Sequence, residues 1–561
     1  MLDKVSSNIE IRSPNEVMKL DRLGVAFPTR LSFSRRLIRL MHRENWKIYK
    51  KTFNLNREGF GIATYEVATP SRFYTLICFS HYLSPENRTD RVIANQWDAT
   101  FVLFDGVPNK SDIERLSKNV PKQESGRFQK TDLVISRANK SVRLFGEVTN
   151  SLSKGYQPDI DKVNSVGYLM RTTAVYANGK FGLCDRFQYL NRPELSHPFQ
   201  VEMLTVYLIR LFTFDLIDHV AYQINKKDSV KLSREIKRHL GIGNATGLGM
   251  APFLISHPVL IHNWFYAREL SLQKVRSIDE VKTEKLNHFI AVSKKAIQHV
   301  REWFVNDELQ TKKTSILLKE MQEVLNWVNE KDFCDKYKPW NNLFSRSSSC
   351  LGLECQELLV SLLLEPYPEI IDEISEGLED KSEELLNVNM TIGQIKDMID
   401  RNYKWALDID FSDPNQNYHF WYYSKEKLEP RRGIRDQDLG SEKEMKITVA
   451  KDIQLFRNII DKLSNNESLA TFVMRNNNFR DVASRVQIGS KYNFSEIRDN
   501  IISDSCKPVD ILRCKLAYFG ASKFDPKSDL WTRITMYQGA PLNDEIYNLD
   551  FDDWCFPVKP Q

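Results

Sequence analysis

Residues 201–222 read VEMLTVYLIRLFTFDLIDHVAY and form the longest apolar stretch in this chain of 561 residues. The stretch contains four charged residues, Glu202, Arg210, Asp215 and Asp218. Several charges at that depth would make insertion into a bilayer costly. The stretch therefore predicts a helix over Gln200–Gln223 that is buried in the core of a globular protein.

Segments with helical periodicity lie on both sides of this stretch. The further helices that we expect are Ser34–Lys51, Asp159–Ala177, Ser233–Leu240, Pro258–Arg276, Val281–Phe304, Ser315–Asn329, Glu354–Glu365, Ile392–Trp405, Ala450–Leu463 and Ser495–Ile502. Strand signals are fewer: a hairpin over Gly61–Leu83, a strand within Arg91–Phe104 and another over Trp531–Tyr537. The pattern predicts an α+β fold that is predominantly α-helical. Its smaller antiparallel β portion would come from the N-terminal region and from C-terminal strands.

Changes in composition suggest three parts. Residues 1–130 combine a basic helix with antiparallel β-rich runs, and residues 131–365 are mainly helical and contain a glycine-rich segment. Residues 366–561 begin with an acidic connection and continue as an α+β region. The run Glu365–Glu384 has nine acids and one base, and such runs usually stay exposed to water. We therefore expect a solvated boundary near residue 365.

The composition favours a soluble globular protein. Hydrophobic residues make up 42% and charged residues 27%, and the mean hydropathy is −0.44. The net charge of +5 is too small for this length to require a nucleic-acid partner. The N-terminus lacks the apolar run of a secretory signal, and the eight cysteines include no CxxC pair. We expect a cytoplasmic protein with reduced thiols and no membrane partner.

The most informative stretch for function is SREIKRHLGIGNATGLGMAPFLISHPVLIHNWFYAR, residues 233–268. It contains four glycines within nine positions, Gly241, Gly243, Gly247 and Gly249. Glycine permits φ > 0 and a close approach to the backbone, and successive N–H groups can hold a carboxylate or phosphate. We expect a glycine-rich loop that binds substrate through Gly243, Asn244, Thr246 and Gly247. In the alternative interpretation Gly241 caps a helix and the other glycines permit close packing.

A second polar stretch, YLMRTTAVYANGKFGLCDR, covers residues 168–186. Arg171 and Lys180 could supply positive charge to an anionic ligand, and arginine adds a planar bidentate fork. The alternative is a capped surface helix whose basic side chains are solvated.

Two groups are candidates for proton transfer. His257 follows the glycine-rich segment, and Glu202 lies in a strongly apolar run, where burial predicts a raised pKa or an arginine partner. An ion pair that fixes helix packing is the alternative for Glu202. The spacing of histidines and cysteines does not match a metal site, and no dinucleotide or Walker motif is present. We expect neither a metal nor an organic cofactor.

These features predict a soluble enzyme that acts on a small anionic substrate, bearing a carboxylate or phosphate, by acid–base chemistry of the lyase type. The first alternative is a nucleic-acid-associated protein that uses the basic segment Arg30–Lys51 and the aromatic and basic segment Tyr418–Arg435. The second is a non-catalytic scaffold that forms homo-oligomers through the apolar run Leu358–Leu364.

Overall fold

The computed structural model describes residues 9–19, 22, 29–87, 97–118, 129–177, 191–247, 258–303, 305–376, 386–413, 421–424, 430–432, 444–447, 449–498, 517, 519–528, 531–547 and 554–559. Helices hold 52% of the residues and strands 16%. The predicted class, α+β and mostly helical, is therefore confirmed.

The helices of the described residues are numbered here in chain order. They are α1 (Pro14–Val17), α2 (Phe33–Arg43), α3 (Lys110–Ser117), α4 (Phe145–Ser153), α5 (Ile160–Val166), α6 (Gln200–Ile224), α7 (Arg234–Arg238), α8 (Pro258–Arg276), α9 (Thr283–Arg301), α10 (Glu308–Val328), α11 (Pro339–Cys350), α12 (Leu353–Leu364), α13 (Pro368–Glu376), α14 (Ile392–Asn402), α15 (Lys404–Leu407), α16 (Val449–Ile460), α17 (Leu469–Arg475) and α18 (Arg480–Lys491). The helices expected over Gln200–Gln223 and Pro258–Arg276 are confirmed almost residue for residue.

The strands form two sheets. Their bounds are β1 (Lys47–Leu55), β2 (Gly61–Ala68), β3 (Phe73–Ser80), β4 (Ala99–Asp105), β5 (Asp132–Lys140), β6 (Tyr168–Ala177), β7 (Gly241–Gly247), β8 (Trp421–Ser424), β9 (Pro430–Arg432), β10 (Glu444–Ile447), β11 (Ala521–Ser528) and β12 (Trp531–Met536). The larger sheet has the order β1-β2-β3-β4-β5-β6-β7-β12-β11, and β10, β8 and β9 form a small one. Strands β6 and β7 are parallel, and the other neighbouring pairs of the larger sheet are antiparallel.

The buried helix α6 packs on one face of the larger sheet. Its Phe212 ring lies 5.5 Å from the ring of Phe101 on β4, and the hydroxyl of Thr213 lies 3.8 Å from the sulfur of Met170 on β6. On the opposite face α3 covers a separate apolar cluster, formed by Ile77, Phe79, Val102, Phe104, Leu116 and Ile135. Apolar side chains therefore cover the β3–β5 part of that opposite face, and its other end holds polar residues.

Three expectations about local structure are wrong. The expected helix Ser34–Lys51 ends at Arg43, because Asn45 has a left-handed φ of 54° and the chain continues as β1. The expected helix Asp159–Ala177 ends at Val166, because Gly167 adopts φ 80° and the chain then enters β6. Residues 495–498 are not helical, and the rest of the expected helix Ser495–Ile502 lies outside the described residues.

The glycine-rich segment is not a loop. Residues Gly241–Gly247 form β7, in the middle of the larger sheet, where β6 and β12 flank them. Their backbone groups therefore belong to the strand ladder, and the expected anion-binding loop at this position is wrong. This sheet contains strands from all three of the expected parts 1–130, 131–365 and 366–561, whose boundaries stay a prediction.

The described residues contain no helix that is both long and apolar enough to cross a membrane. The apolar run Leu358–Leu364 lies in α12, and its side chains are 0–3% exposed. These side chains pack within the chain itself, which leaves this run no surface for contact between copies. The expectation of assembly through this run is therefore wrong.

Candidate functional site

The structure brings together three of the residues expected to bind substrate. On the parallel strands β6 and β7, Arg171 is the direct partner of Gly243, and Thr172 is that of Asn244. On the far side of β7, Thr246 and Gly247 pair with residues of β12. Lys180 and His257 lie outside the described residues.

Close packing explains two of the glycines. A Cβ atom built on Gly243 would lie 2.5 Å from Cγ of Tyr168, and one on Gly241 would lie 2.1 Å from the carbonyl oxygen of Met536. Neither glycine has a left-handed φ. The requirement at these positions is thus space for a ring and a neighbouring strand, as the close-packing interpretation expects for Gly243. The helix cap considered at Gly241 is wrong, because α7 ends at Arg238 with His239 as its C-cap and Gly241 begins β7.

Glu202 is 7% exposed in the first turn of α6, and burial raises its pKa to about 7. Arg210, an arginine of the same helix, donates to the carbonyl oxygens of Leu240, Pro541, Lys237 and Ala540 at 2.8–3.1 Å. The raised pKa of Glu202 therefore reflects desolvation. It is a property that a proton-transfer group and a buried structural carboxyl share.

Arg171 belongs to a row of residues that crosses the sheet. The strand register pairs Asn139 with Arg171, Arg171 with Gly243, Gly243 with Thr535 and Thr535 with Lys523. Paired residues on neighbouring strands point to the same face of a sheet. These five positions, on β5, β6, β7, β12 and β11, therefore share one face.

More charges adjoin this row. Arg137, Arg533 and Asp525 lie two positions along their strands from Asn139, Thr535 and Lys523, which places them on the same face. Asp98 is bound to Asn139 through its backbone N–H, which donates to Oδ1 at 3.0 Å. We define the polar row by its polar members, Asp98, Arg137, Asn139, Arg171, Lys523, Asp525, Arg533 and Thr535.

The polar row is cationic and mostly buried. The row contains four cationic side chains and two carboxylates, which gives it a net formal charge of +2. Seven of the eight residues are at most 8% exposed, and Arg533 is intermediate. Burial lowers the pKa of Lys523 to about 8, and its Nζ donates to the carbonyl oxygens of Asn164 and Ser165 at 3.1 and 2.8 Å. Cations concentrated in this way favour an anionic ligand.

Two buried side-chain N–H groups lie near the β5 end of the polar row. Nδ2 of Asn139 and Nε1 of Trp97 are buried and have no hydrogen-bond partner among the described residues, and each of these side chains is 3% exposed. A buried unmet donor costs roughly 1–3 kcal/mol. An acceptor atom of a ligand would remove that cost.

A titratable group lies beside these donors. The backbone N–H of His81 donates to the carbonyl oxygen of Asp98 at 3.0 Å, which carries the pairing of β3 and β4 one residue further. Burial lowers the pKa of His81 to about 4, and the nearby charge of Lys140 adds to the lowering. The imidazole of His81 is therefore neutral at pH 7 and able to accept a proton. The described residues hold no group of three or more metal-ligating side chains.

Sequence reasoning finds Arg171, and the polar run Ser136–Ser141 (SRANKS) marks Arg137 and Asn139, but Asp98 and the members on β11 and β12 are missed. Asn139 and Lys523 are separated by 384 positions, so no local motif joins them. The local signal lies in the composition of β5, where Arg137, Asn139 and Lys140 follow the apolar run Leu133–Ile135.

Comparison with known proteins adds no assignment. Neither a family model, nor a curated protein, nor a solved structure matches this chain. The polar row is thus the starting point for a functional hypothesis.

Proposed function

We propose that this protein is an enzyme that binds a small anionic molecule at the polar row and acts on it by acid–base chemistry. The observation that carries the proposal is the placement of three buried cationic side chains, Arg137, Arg171 and Lys523, on one face of the sheet, with two buried N–H donors that have no partner among the described residues. A bound carboxylate or phosphate would accept hydrogen bonds from those donors and interact favourably with the cations.

The anionic group of the substrate would be held by Arg171 and Arg137. The planar fork of a guanidinium matches a carboxylate or phosphate, and such charge-assisted bonds are about twice as strong as neutral ones. Nδ2 of Asn139 would donate a further hydrogen bond. Arg171 and Gly243 lie on the face of the polar row, whereas Asn244 pairs with Thr172 and belongs to the other face. The substrate-binding roles expected for Asn244, Thr246 and Gly247 stay predictions.

The proton acceptor would be His81. An anion close to its ring favours the charged imidazolium and raises the pKa of His81 from about 4 towards neutrality. A base whose pKa lies near the working pH is the most effective. Substrate binding would thereby activate His81, in a reaction of the lyase type expected from the sequence. The proton-transfer roles expected for Glu202 and His257 stay predictions, since Glu202 lies on α6, which packs on the opposite face of the sheet, and His257 lies outside the described residues.

The experiment is a thermal-shift panel with phosphate, pyrophosphate, malonate and citrate on the wild type, Arg171→Gln and Arg475→Gln. Arg475 is a matched control, since its side chain is 71% exposed on α17. At 100 times its Kd an anion stabilises the protein by about 2.7 kcal/mol. We expect at least one anion to stabilise the wild type and Arg475→Gln more than Arg171→Gln. Equal shifts in all three proteins, or none, would refute the proposal.

Nucleic-acid binding through Arg30–Lys51 and Tyr418–Arg435 stays a prediction. Part of the basic segment is buried in the core, since Arg35 is 0% exposed and pairs with Glu365. Of Tyr418–Arg435, the structure describes the backbone of the short strands β8 and β9. Phosphate-backbone binding weakens steeply with salt, so an oligonucleotide titration at two salt concentrations tests this function.

A further inference from the structure

A concave surface separate from the polar row is formed by α2, α13 and the residues that lead into α6. It encloses a pocket of about 350 Å³. Small-molecule sites measure roughly 300–1,000 Å³. Phe33, Leu37 and Leu40 of α2 form an apolar part of its wall. The pocket therefore has room for a small molecule with an apolar part and a polar part.

The rest of the wall is cationic. It is lined by four arginines and two histidines, Arg30, Arg36, Arg39, Arg43, His42 and His197. Among the described residues the carboxylate that lines the pocket is that of Asp372, so the described lining has a net formal charge of +3 when the histidines are counted as neutral. No member of the polar row lines the pocket, and an anion bound here would occupy a second site.

Asp372 is shared between two of the arginines. Its Oδ2 lies 3.4 Å from Nη2 of Arg30, and its Oδ1 lies 3.1 Å from Nε of Arg39. The arginine side chains are only 8% and 14% exposed, whereas that of Asp372 is 38% exposed. Arg39 also donates from Nη1 to the carbonyl oxygen of Arg30 at 2.9 Å, and Arg36 donates from Nη2 to that of Ser375 at 3.2 Å. These contacts hold the arginines at the pocket wall. A multivalent anion in the pocket would add charge-assisted acceptors to the partners that they already have.

The arginines of α2 lie on two different faces of the helix. Arg36, Arg39 and Arg43 follow the i, i+3, i+7 spacing that places residues on one helix face, and all three line the pocket. Arg35 points elsewhere and forms a buried ion pair with Glu365. One face of α2 therefore packs into the core, and another face lines the pocket with cationic side chains.

We propose that this pocket binds a small phosphate ester, with the phosphate among the arginines and the ester group against Phe33, Leu37 and Leu40. A phosphate carries up to two negative charges and three acceptor oxygens, which suits several guanidinium forks better than a single carboxylate does. A nucleic-acid strand fits less well, because the cations line a small concavity and an extended backbone needs an extended basic surface.

Isothermal titration of phenyl phosphate and inorganic phosphate into the full chain tests this proposal. We expect phenyl phosphate to bind at one site and more tightly than inorganic phosphate, because the ring adds apolar contact. Arg36→Gln should weaken phenyl phosphate binding by about tenfold or more, the usual effect of losing hydrogen bonds from a charged group. Arg43→Gln, at an exposed residue, provides a second variant if Arg36→Gln fails to fold. Arg475→Gln should bind like the wild type.

The same titration separates this site from the polar row. Arg171→Gln should bind phenyl phosphate as the wild type does, whatever its effect on the substrate proposed above. The proposal is overturned if phenyl phosphate does not bind, or if the Arg36 and Arg43 variants bind it with wild-type affinity. It is also overturned if those variants lose affinity for an oligonucleotide and keep affinity for phenyl phosphate.

Discussion

Asn139 and Arg171 are direct partners across β5 and β6, and their side chains are 3% and 6% exposed. An amide with an unmet N–H and a guanidinium are thereby buried side by side on one face of a sheet. A pair of hydrophobic residues would be the usual occupant of such a position. This pair is the centre of the polar row, and its chemistry gives the first prediction.

Asn139→Asp should abolish anion binding at the polar row with limited damage to the fold. The carboxylate keeps the acceptor that Oδ1 offers to the N–H of Asp98, but it removes the Nδ2 donor and adds a negative charge. We expect affinity for the best anion of the thermal-shift panel to fall at least tenfold. Asn326→Asp, on the exposed surface of α10, is the control with the same change of charge. Equal affinities of the two variants would exclude Asn139 from the site.

Glu202→Gln should change how stability depends on pH. The pKa of Glu202 rises from 4.5 in the unfolded chain to about 7 in the folded one, so the folded state holds the proton more tightly. The stabilisation of the folded state by the protonated Glu202 carboxyl is fully present below about pH 4.5, and it is lost as the pH rises through about 7. The loss amounts to about 3 kcal/mol at 1.36 kcal/mol per pH unit.

Urea unfolding at pH 4, 6 and 8 measures this effect. Relative to the wild type, Glu202→Gln should gain stability from pH 4 to pH 8, because the glutamine does not ionise. Parallel pH profiles of the two proteins would show that Glu202 ionises as easily in the folded state as in the unfolded one.

Gly243→Ala should destabilise the fold by about 1–3 kcal/mol, the usual cost of overpacking a core. The added Cβ would meet the Tyr168 ring at 2.5 Å. Gly146→Ala is the matched control, because nothing lies within 4 Å of a Cβ at that position and Gly146 is in α4. Thermal unfolding should show a loss for Gly243→Ala and no loss for Gly146→Ala. Similar melting temperatures would mean that the Tyr168 ring can move aside.

Glu365→Gln should destabilise the protein by about 3–5 kcal/mol, since it removes the negative charge of a buried ion pair with Arg35. Arg35 donates from Nη1 to Oε1 at 2.6 Å and from Nη2 to Oε2 at 2.9 Å, and both side chains are at most 2% exposed. Arg234→Gln removes ion pairs with Asp544 and Glu545 in which the arginine is 60% exposed, and it should cost less than about 1 kcal/mol. Equal losses in urea unfolding would contradict this assignment.

The sequence predicts local elements well where hydrophobic pattern decides them. The helix α6 follows from an apolar run, and α8 from an apolar pattern that begins at Pro258. The end of α2 at Arg43 does not follow from the hydrophobic pattern. Asn45 adopts a left-handed conformation just after it, and the helical periodicity contains no signal for that turn. Glu365 shows the same limit, since it belongs to an acidic run that suggests a solvated surface and yet it is 2% exposed.

The site could be predicted only in part. Arg171 is identifiable as a cation suited to an anionic ligand, but its strand partners are set by long-range pairing. The glycines and small polar residues of β7 resemble a loop until β6 and β12 are known to flank them. Because β12 lies almost 300 residues further along the chain, tertiary pairing overrides the local propensity there.

The most direct test of the proposed function is the pKa of His81, measured by NMR in protein with ¹³C-labelled histidine and assigned with His81→Gln. In the free protein this pKa should be about 4. Saturation with the best anion of the panel, in an Arg36→Gln background that weakens the α2 pocket, should raise it by at least one unit, and Arg171→Gln should prevent the rise. If the pKa of His81 stays the same with the anion bound, the polar row does not bind an anion beside His81 and the proposed function is wrong.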